Sequence, residues 1–397
     1  MTDVPPPERP ELREPDLPRT AKVRPRALRT GWTTGTCSAA AAKAACAALV
    51  SGSVQHAVDV ALPSGQRVAF DVERCDVEAG RRAEAVVVKD AGDDPDVTHG
   101  AHLTATVTWR GRPGLELDGG VGVGVVTKPG LGLDVGGPAI NPVPRRMIAY
   151  SVAEVLDVAR RGVRVVVSVP QGDVMARRTT NARLGILGGI SILGTTGVVR
   201  PFSTASWRAS VVQAVQVMAA QGESTLVLCT GGRTEAAAMA MLPDLPEGCF
   251  VEVGDFTGAA LTSAAAAGIG RVVFVGMAGK LTKLASGVLM THYTRSRVDT
   301  ALLGRLTAAV GGDAALAELV AGANTGRHAY ELWDAAGLLR PAGDALCRQV
   351  ADVLRRFTDG ALAAEVAMVD FAGRTVVAAS RADWVGTVRP PAAGEGE

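Results

Sequence analysis

Short apolar runs alternate with helical segments along the second half of the chain. The runs at 163–169, 225–229, 250–253 and 271–275 are apolar over most of their length, which is typical of strands buried on both faces. Segments that can form helices separate them, and such alternation indicates a parallel sheet with helices packed on it. We therefore predict that residues 151–385 form an α/β doubly wound, Rossmann-like domain.

The first half of the chain has a different pattern. Residues 58–62 and 67–72 flank a Pro-Ser-Gly-Gln turn, which predicts a β-hairpin, and 85–89 and 103–109 predict two further strands. An alanine-rich run before them predicts a helix, because alanine is the strongest helix former. We predict an α+β domain with mostly antiparallel strands over residues 29–150.

Composition narrows the possible functions. The 41 Lys and Arg residues and 40 Asp and Glu residues leave a net charge of +1, which argues against nucleic acid or an anionic membrane as a partner. No apolar run is long enough to suggest a membrane span. The six cysteines form no C-x-x-C motif, so we predict neither a metal site nor disulfides, and a cytoplasmic location. Residues 1–28 and 386–397 lack apolar periodicity and are predicted to be disordered tails.

A glycine-rich stretch follows the first apolar run, over residues 179–201. Such glycine density lets the backbone approach a ligand closely, which favours a ligand cradle. A buried strand with tight turns is the alternative interpretation. For the cradle we predict cofactor contacts from Gly188, Gly189, Gly194, Thr195 and Thr196.

Glycine loops also end the later strands. Gly231 and Gly232 follow 225–229, Gly276 follows the last run, and ligands of parallel sheets bind at these carboxyl ends. Asp255 lies about twenty residues beyond the glycine pair, the offset at which an acid reaches a ribose hydroxyl. We therefore predict an adenosine-type cofactor at these four residues. A P-loop is rejected, because a phenylalanine occupies the position of its first glycine.

Local cationic and hydroxyl groups are the candidates for binding an anionic substrate. A Thr- and Gly-rich loop before the alanine-rich helix would present N–H groups to an anion. Cys37 there is either a nucleophile of lowered pKa or a packed thiol, and no base is visible beside it. The predicted substrate-binding residues are Thr33, Thr34, Thr36, Lys128, Arg145, Arg146, Arg178, Arg183 and Lys280.

Residues 89–102 form an aspartate- and histidine-rich loop. Its carboxylates are able to bind a hard cation, but a solvated turn explains the composition about as well. As proton acceptors we consider His99, Asp90, Asp93 and His292, and the alternative for His292 is a structural histidine between helices.

Five motifs resemble the CbiD family of cobalt-precorrin-5B C1-methyltransferases, which act in anaerobic cobalamin biosynthesis. The motifs are the runs at 29–45, 87–101, 122–148, 179–201 and 275–292. The resemblance implies that S-adenosylmethionine methylates carbon 1 of a cobalt-corrin, forming cobalt-precorrin-6A. Because the corrin periphery carries carboxylates, the cations named above are suitable contacts. Met277 departs from the family, which usually has histidine there.

Methyl transfer from a sulfonium depends on alignment more than on a strong protein nucleophile, which agrees with the lack of a Ser-His-Asp or Cys-His constellation in the sequence. Two alternatives remain open from the residues alone. One is a nicotinamide-dependent reductase acting on a tetrapyrrole, and the other is a non-catalytic corrin carrier. A homo-oligomer is a further possible state.

Overall fold

The structure of the protein is a computed structural model that describes residues 28–78, 80–290 and 298–386. The described residues divide into an N-terminal unit within Val23–Thr204 and a C-terminal unit within Ala205–Glu397. Both predicted tails, apart from Leu28 and Gly386, lie outside the described residues. No helix among the described residues is long and apolar enough to cross a membrane.

The N-terminal unit is a mixed α and β structure. The predicted hairpin is confirmed as the antiparallel pair of strands β2 (Ala57–Ala61) and β3 (Arg67–Asp71). The helices are α1 (Thr34–Ser51), α2 (Pro142–Ala153) and α3 (Gly172–Ala176). The other strands are β1 (Gly31–Trp32), β4 (Arg74–Glu78), β5 (Arg82–Val88), β6 (His102–Trp109), β7 (Leu115–Gly119), β8 (Gly122–Val123), β9 (Val125–Val126), β10 (Val163–Ser168), β11 (Ile186–Leu187), β12 (Gly189–Ile190) and β13 (Val198–Val199).

Helix α1 packs against β5, β6 and α2, and most of its alanines are buried. A helix that is apolar all round is stable only when other elements enclose it. The helix ends at Gly52, whose φ of 71° is the left-handed conformation that glycine adopts at low cost. The alanine-rich run therefore forms the predicted helix and also a large part of the core of the unit.

The strand predicted at 163–169 belongs to the N-terminal unit, which corrects its assignment to the parallel sheet. Strand β10 lies in the five-stranded sheet β4-β5-β6-β10-β7, antiparallel to β6 and parallel to β7. The boundary between the units therefore lies at Thr204 rather than at residue 150. Buried residues alternate with less buried ones along β10, so one face of the strand packs in the core whatever the direction of its neighbours.

The C-terminal unit contains a second five-stranded sheet. Its strands are β14 (Thr225–Cys229), β15 (Phe250–Glu252), β16 (Arg271–Gly276), β17 (Ala363–Val369) and β18 (Val376–Ala379). Its helices are α4 (Thr204–Ala220), α5 (Gly232–Met241), α6 (Thr257–Ala266), α7 (Ala278–Ala285), α8 (Thr300–Ala309), α9 (Ala314–Ala321), α10 (Gly326–Ala335) and α11 (Leu339–Phe357). Short 3₁₀ turns occur at Glu247–Cys249 and Ala382–Trp384.

The strands of this sheet lie in the order β15-β14-β16-β17-β18. The first four are mutually parallel and β18 is antiparallel to β17. Three of the four predicted parallel strands, β14, β15 and β16, are thus confirmed with helices between them. The strands that follow β14 in the chain, β15 and β16, lie on opposite sides of it. The direction of winding therefore changes between β14 and β16, whose carboxyl ends lie side by side.

Candidate functional site

Three loops meet at the carboxyl edge of the C-terminal sheet. In the sheet register Cys229 at the end of β14 lies beside both Glu252 of β15 and Val275 of β16. Because parallel strands end at the same edge, the loops that follow them begin on one side of the unit. The predicted cofactor-binding residues at these strand ends and loops are Gly231, Gly232, Asp255 and Gly276.

The loop after β14 leaves open space at its glycines. A Cβ built on Gly231 would have Glu252 Oε1 as its nearest neighbour at 3.9 Å, and one built on Gly232 would meet nothing within 4 Å. Thr234 shapes the loop, since its hydroxyl accepts from Thr230 N at 2.9 Å and donates to Gly231 O at 2.7 Å. The glycine pair therefore has room for a ligand.

Gly276 has different surroundings from the glycine pair. A Cβ built on it would lie 3.0 Å from the Phe274 ring and 3.2 Å from the Leu281 side chain. Gly276 is also buried at the end of β16. In the structure this glycine allows the strand end to pack closely, and its contact with a cofactor stays a prediction.

An ion pair joins the loop after β15 to helix α7. Lys280 Nζ pairs with the Asp255 carboxylate and also donates to Gly254 O at 3.2 Å. The ammonium group of Lys280, a predicted substrate contact, is thus engaged within the C-terminal unit. The Asp255 carboxylate is thereby held at the sheet edge, where a group that reaches a ribose was predicted.

Trp207 is a neighbour of this loop that sequence reasoning missed. Its side chain is 50% exposed, and three atoms of its indole ring lie 3.4 Å from a Cβ built on Gly254. The sequence alone does not distinguish Trp207 from a core residue. It lies at the same helical spacing as Val211 and Val215 of α4, which are buried.

The glycine-rich stretch of the N-terminal unit forms small two-stranded sheets. Strand β11 pairs with β9, β12 with β8, and β13 with β1. A Cβ on Gly189 would overlap the backbone of Gly122 and Val123, and one on Gly194 would overlap the Thr33 side chain. These two glycines are thus required for close packing, which supports the structural alternative at their positions.

Other residues of this stretch have room for a ligand. A Cβ on Gly188 would meet nothing within 4 Å, and both Thr195 and Thr196 are exposed. The Thr196 hydroxyl donates to Val198 O at 3.2 Å, which closes a local turn. The cofactor contacts of Gly188, Thr195 and Thr196 stay predictions.

The predicted anion site at the start of α1 is occupied by the chain itself. Gly35 N donates to Leu193 O at 3.0 Å, and Thr36 N donates to the Thr33 hydroxyl at 3.2 Å. Backbone N–H groups that already have partners are not available to an anion, so these two groups are not an anion site in the structure.

The hydroxyl groups of the same loop join α1 to the glycine-rich stretch. The Thr34 hydroxyl accepts from Leu193 N at 2.9 Å, and the Thr36 hydroxyl donates to Gly197 O at 2.7 Å. Thr33, Thr34 and Thr36 are all buried. In the structure these threonines form hydrogen bonds inside the unit, which argues against the predicted contact with substrate.

Cys37 is a packed thiol. It is fully buried in the first turns of α1, and burial raises the pKa of its thiol to about 12. A thiol with such a pKa is protonated at neutral pH and is a poor nucleophile. The structure thus supports packing over nucleophilic catalysis at this position.

Arg29 holds two of the predicted proton acceptors. It pairs with the Asp90 carboxylate, and its backbone N donates to Asp93 Oδ2 at 2.7 Å. The hydrogen bond from Arg29 is the main reason why the pKa of Asp90 lies below its ordinary value. Asp90 is consequently a weaker base than a free carboxylate. His292, another predicted acceptor, lies outside the described residues.

His99 belongs to the same loop. Its Nδ1 atom accepts from Ala91 N at 3.1 Å and lies 3.8 Å from Asp90 Oδ1. In a neutral imidazole whose Nδ1 accepts a hydrogen bond, Nε2 carries the proton. The exposed ring therefore presents a donor at Nε2.

An interior ion pair anchors this loop. Lys89 is 1% exposed, and its Nζ donates to Asp96 Oδ2 at 2.7 Å. Burial alone would raise the pKa of Asp96, but Lys89 and Thr98 together hold it below its ordinary value. Among the described residues no group of three or more His, Cys, Asp or Glu side chains is arranged to hold a metal ion.

Apolar and cationic side chains lie close together at the β9–β11 pair of the N-terminal unit. Val125 and Leu187 lie opposite each other there and are 44% and 50% exposed. The Lys128 side chain lies close against Gly185, which precedes β11. We call Val125, Leu187 and Lys128 the exposed ladder.

The predicted arginines of the N-terminal unit differ in how they are held. Arg145 Nε donates to Ile140 O at 2.8 Å, so its guanidinium is fixed against the backbone before α2. Arg146 and Arg178 are exposed, and Arg183 is half-buried. Arg146 and Arg178 are therefore the more accessible candidates for a carboxylate.

Comparisons with known proteins match both halves of the chain. A family model described as CbiD matches residues 21–201, and one described as the CbiD C-terminal domain matches residues 290–380. A Salinispora arenicola protein named cobalt-precorrin-5B C(1)-methyltransferase is 72% identical over 371 residues, which are 94% of this chain and 97% of that protein. A Rubrobacter xylanophilus protein of the same name is 67% identical over 369 residues, which are 92% of this chain and 95% of that protein.

A solved structure is also similar in sequence. The crystal structure of a cobalamin biosynthesis protein (cbiD) from Archaeoglobus fulgidus is 29% identical and covers 68% of this chain and 83% of that one. The two structures align with a TM-score of 0.35, which is too low to support a structural argument.

Proposed function

The chain belongs to the CbiD family, as its five motifs predict, and on that premise we propose that it methylates carbon 1 of cobalt-precorrin-5B. The methyl donor is S-adenosylmethionine, and the products are cobalt-precorrin-6A and S-adenosylhomocysteine. The observation that carries the proposal is 72% identity, over 94% of the chain, to a relative with this name.

The transfer is balanced without any further reactant. The bond between sulfur and the methyl carbon breaks, and its electron pair stays on sulfur as the sulfonium becomes a thioether. An electron pair of the ring forms the new bond at carbon 1, and the ring releases one proton. Since no oxidant or reductant is needed, the protein has to align the two substrates and accept or release that proton.

We propose that the donor binds to the C-terminal unit and that this unit is doubly wound and Rossmann-like. The change of winding direction between β14 and β16 supports this, because ligands of open α/β sheets bind outside the carboxyl ends at such a switch point. The open space at Gly231 and Gly232 fits a nucleoside that approaches the backbone. Asp255 would accept hydrogen bonds from the ribose hydroxyls.

We propose that the corrin binds to the exposed ladder of the N-terminal unit. Val125 and Leu187 offer an apolar surface to a ring face, and Lys128 lies beside them against Gly185. A corrin precursor combines an apolar ring face with peripheral carboxylates, and this surface combines the complementary groups. The further cations proposed to contact carboxylates are Arg146, Arg178 and Arg183.

His99 is proposed to position a substrate carboxylate through its Nε2 proton. Arg29 restrains Asp90 and Asp93, so these two residues hold the loop that carries His99. His292 stays the proposed acceptor of the ring proton.

We also propose a cytoplasmic location. The six cysteines are buried and their spacing in the sequence indicates no disulfide framework, which is typical of proteins from a reducing compartment. Fractionation of cells that express the chain at its natural level would test this, and recovery outside the cytoplasmic fraction would refute it.

The main experiment combines the purified full-length chain with cobalt-precorrin-5B and a donor whose methyl carbon is ¹³C. A product heavier by one labelled methyl group, less one hydrogen, with the label at carbon 1 by NMR, would support the proposal. Equal amounts of S-adenosylhomocysteine should appear. A product formed only with NADPH would indicate a reductase, and corrin binding without turnover would indicate a carrier. Either result would refute the proposal.

A further inference from the structure

The indole of Trp207 is exposed beside the loop that we assign to the donor. We propose that Trp207 forms the aromatic surface on which the adenine ring of S-adenosylmethionine stacks, an inference that rests on the proposed function. The relevant neighbours are Gly254, which the indole approaches closely, and Asp255, which follows Gly254 in the chain.

The exposure of Trp207 is unusual within its own unit. Trp333 is fully buried and Trp384 is 6% exposed, whereas Trp207 is 50% exposed on a helix whose Val211 and Val215 lie in the core. A large aromatic side chain gains free energy when it is covered, and an indole left at a sheet edge has an apolar surface available to a ligand.

The position of the ring agrees with the shape of a nucleoside. In a nucleoside the base is bonded directly to the ribose, so the groups that bind the two parts have to be close neighbours. Asp255, which we assign to the ribose, is adjacent in sequence to Gly254, which lies against the indole. Lys280 holds both residues, because it pairs with Asp255 and donates to Gly254 O at 3.2 Å.

Gly254 forms the turn that lies beside the indole. Its φ of 52° is left-handed, and a Cβ at this position would lie 3.4 Å from the ring atoms Nε1, Cε2 and Cζ2. Glycine thus allows the left-handed turn, and the indole lies within van der Waals contact distance of this position. Stacking suits adenine because each nucleobase has a flat π surface, and such contacts contribute about 1 to 3 kcal/mol when tested by truncation to alanine.

The test uses full-length W207A and W207F with S-adenosylhomocysteine as the probe, titrated by calorimetry. Truncation of the ring should raise the dissociation constant of W207A about 5- to 150-fold, and W207F should lie between W207A and the wild type. L319A, which truncates an exposed side chain on α9, is the control and should bind like the wild type. Thermal unfolding of each variant shows whether it is folded.

Fluorescence gives a readout that a purely structural tryptophan would not change. Binding of the probe should alter the tryptophan emission of the wild type, and this change should be absent from W207F even though W207F still binds. Wild-type affinity in folded W207A, or the same emission change in W207F, would overturn the assignment of Trp207 alone. Failure of the wild-type chain to bind the probe would instead refute the donor in the proposed function.

Discussion

Lys89 Nζ lies 2.7 Å from Asp96 Oδ2, and the lysine side chain is 1% exposed. Asp96 also accepts hydrogen bonds at Oδ1 from the backbone N and the hydroxyl of Thr98, at 2.7 Å and 2.6 Å. The pair therefore fixes one end of the loop that carries Asp90 and His99. Loss of one partner should affect stability differently from loss of the other, because only the lysine is fully buried.

Asp96→Ala should lower the free energy of unfolding by about 3 kcal/mol, because it leaves the Lys89 ammonium buried without its counter-ion. Lys89→Met should cost less, since Asp96 keeps its bonds from Thr98. Urea unfolding measures both. Arg81→Ala, which breaks an exposed pair with Glu78 on the surface, is the control and should change stability by less than about 1 kcal/mol. Equal losses for Asp96→Ala and Arg81→Ala would contradict this account.

Local patterns predict elements better than they predict sheet partners. The apolar run at 163–169 does form strand β10, but its neighbour β6 comes from a distant part of the chain. The spacing of apolar residues along a strand indicates which of its faces are buried. It does not indicate whether the neighbouring strands are parallel or antiparallel. The alternation from β14 to β16 is sufficient to predict that these three strands are parallel, because a helix connects each to the next.

The sequence likewise predicts some residues of the candidate site and not others. The position of Asp255 at the carboxyl edge follows from the strand–helix alternation. Thr34 and Thr36 could not be assigned, since a threonine that bonds a distant carbonyl or N–H group has the same sequence signature as one that faces a ligand. Their partners, Leu193 and Gly197, are 159 and 161 residues away along the chain.

The six cysteines should be unreactive in the native protein. All are buried, and burial raises the pKa of the Cys37 thiol to about 12 and that of Cys46 to about 11. A thiol-specific reagent such as DTNB should therefore label almost no cysteine at about pH 8, and all six after addition of guanidinium. Cys37→Ala should retain methyl transfer. Rapid native labelling of Cys37, or loss of turnover in a stable Cys37→Ala protein, would restore the nucleophile hypothesis.

Acid should weaken a second charged cluster. Glu154 accepts from Arg67 Nη1 and Lys43 Nζ, both at 2.6 Å, and the hydrogen bond from Arg67 is the main reason why its pKa falls to about 2. A carboxylate whose pKa is lower in the folded than in the unfolded state stabilises the fold above the unfolded pKa, which is about 4.3. The stabilisation is lost as the pH falls from there towards the folded pKa.

Glu154→Gln should therefore flatten the dependence of stability on pH between about 4.5 and about 2. Urea unfolding across that range measures the effect, and NMR titration of the Glu154 carboxyl carbon gives its pKa directly. Glu318→Gln, at an exposed position of α9, should leave the profile unchanged. A Glu154 pKa at the ordinary value for glutamate would show that the cluster does not form in solution.

His99→Gln and His99→Asn separate the two nitrogens of the ring. Gln can place an N–H group near the position of Nε2, whereas Asn can replace only the acceptor at Nδ1 that bonds Ala91 N. If His99 donates to a substrate carboxylate, Gln should retain most of the wild-type kcat/KM, and Asn should raise KM by about tenfold or more. Steady-state kinetics over a range of pH provide the check. A base role would instead abolish turnover in both variants.

Gly188 and Gly189 are adjacent but face different surroundings. A side chain on Gly189 would overlap the backbone of Gly122 and Val123, whereas one on Gly188 would meet nothing within 4 Å. Gly189→Val should therefore unfold the N-terminal unit or destabilise it by more than about 4 kcal/mol. Gly188→Ala should cost only about 1 kcal/mol, the strain of its φ of 79°.

Circular dichroism with urea unfolding measures the stability of both glycine variants, and the ¹³C methyl-transfer assay measures their activity. If Gly188 contributes to a ligand cradle, a folded Gly188→Ala protein should lose turnover or raise KM, because the new methyl group occupies space meant for the ligand. Full activity of Gly188→Ala together with unfolding of Gly189→Val would make the stretch structural. A folded but inactive Gly189→Val would contradict the packing described for β12 and β8.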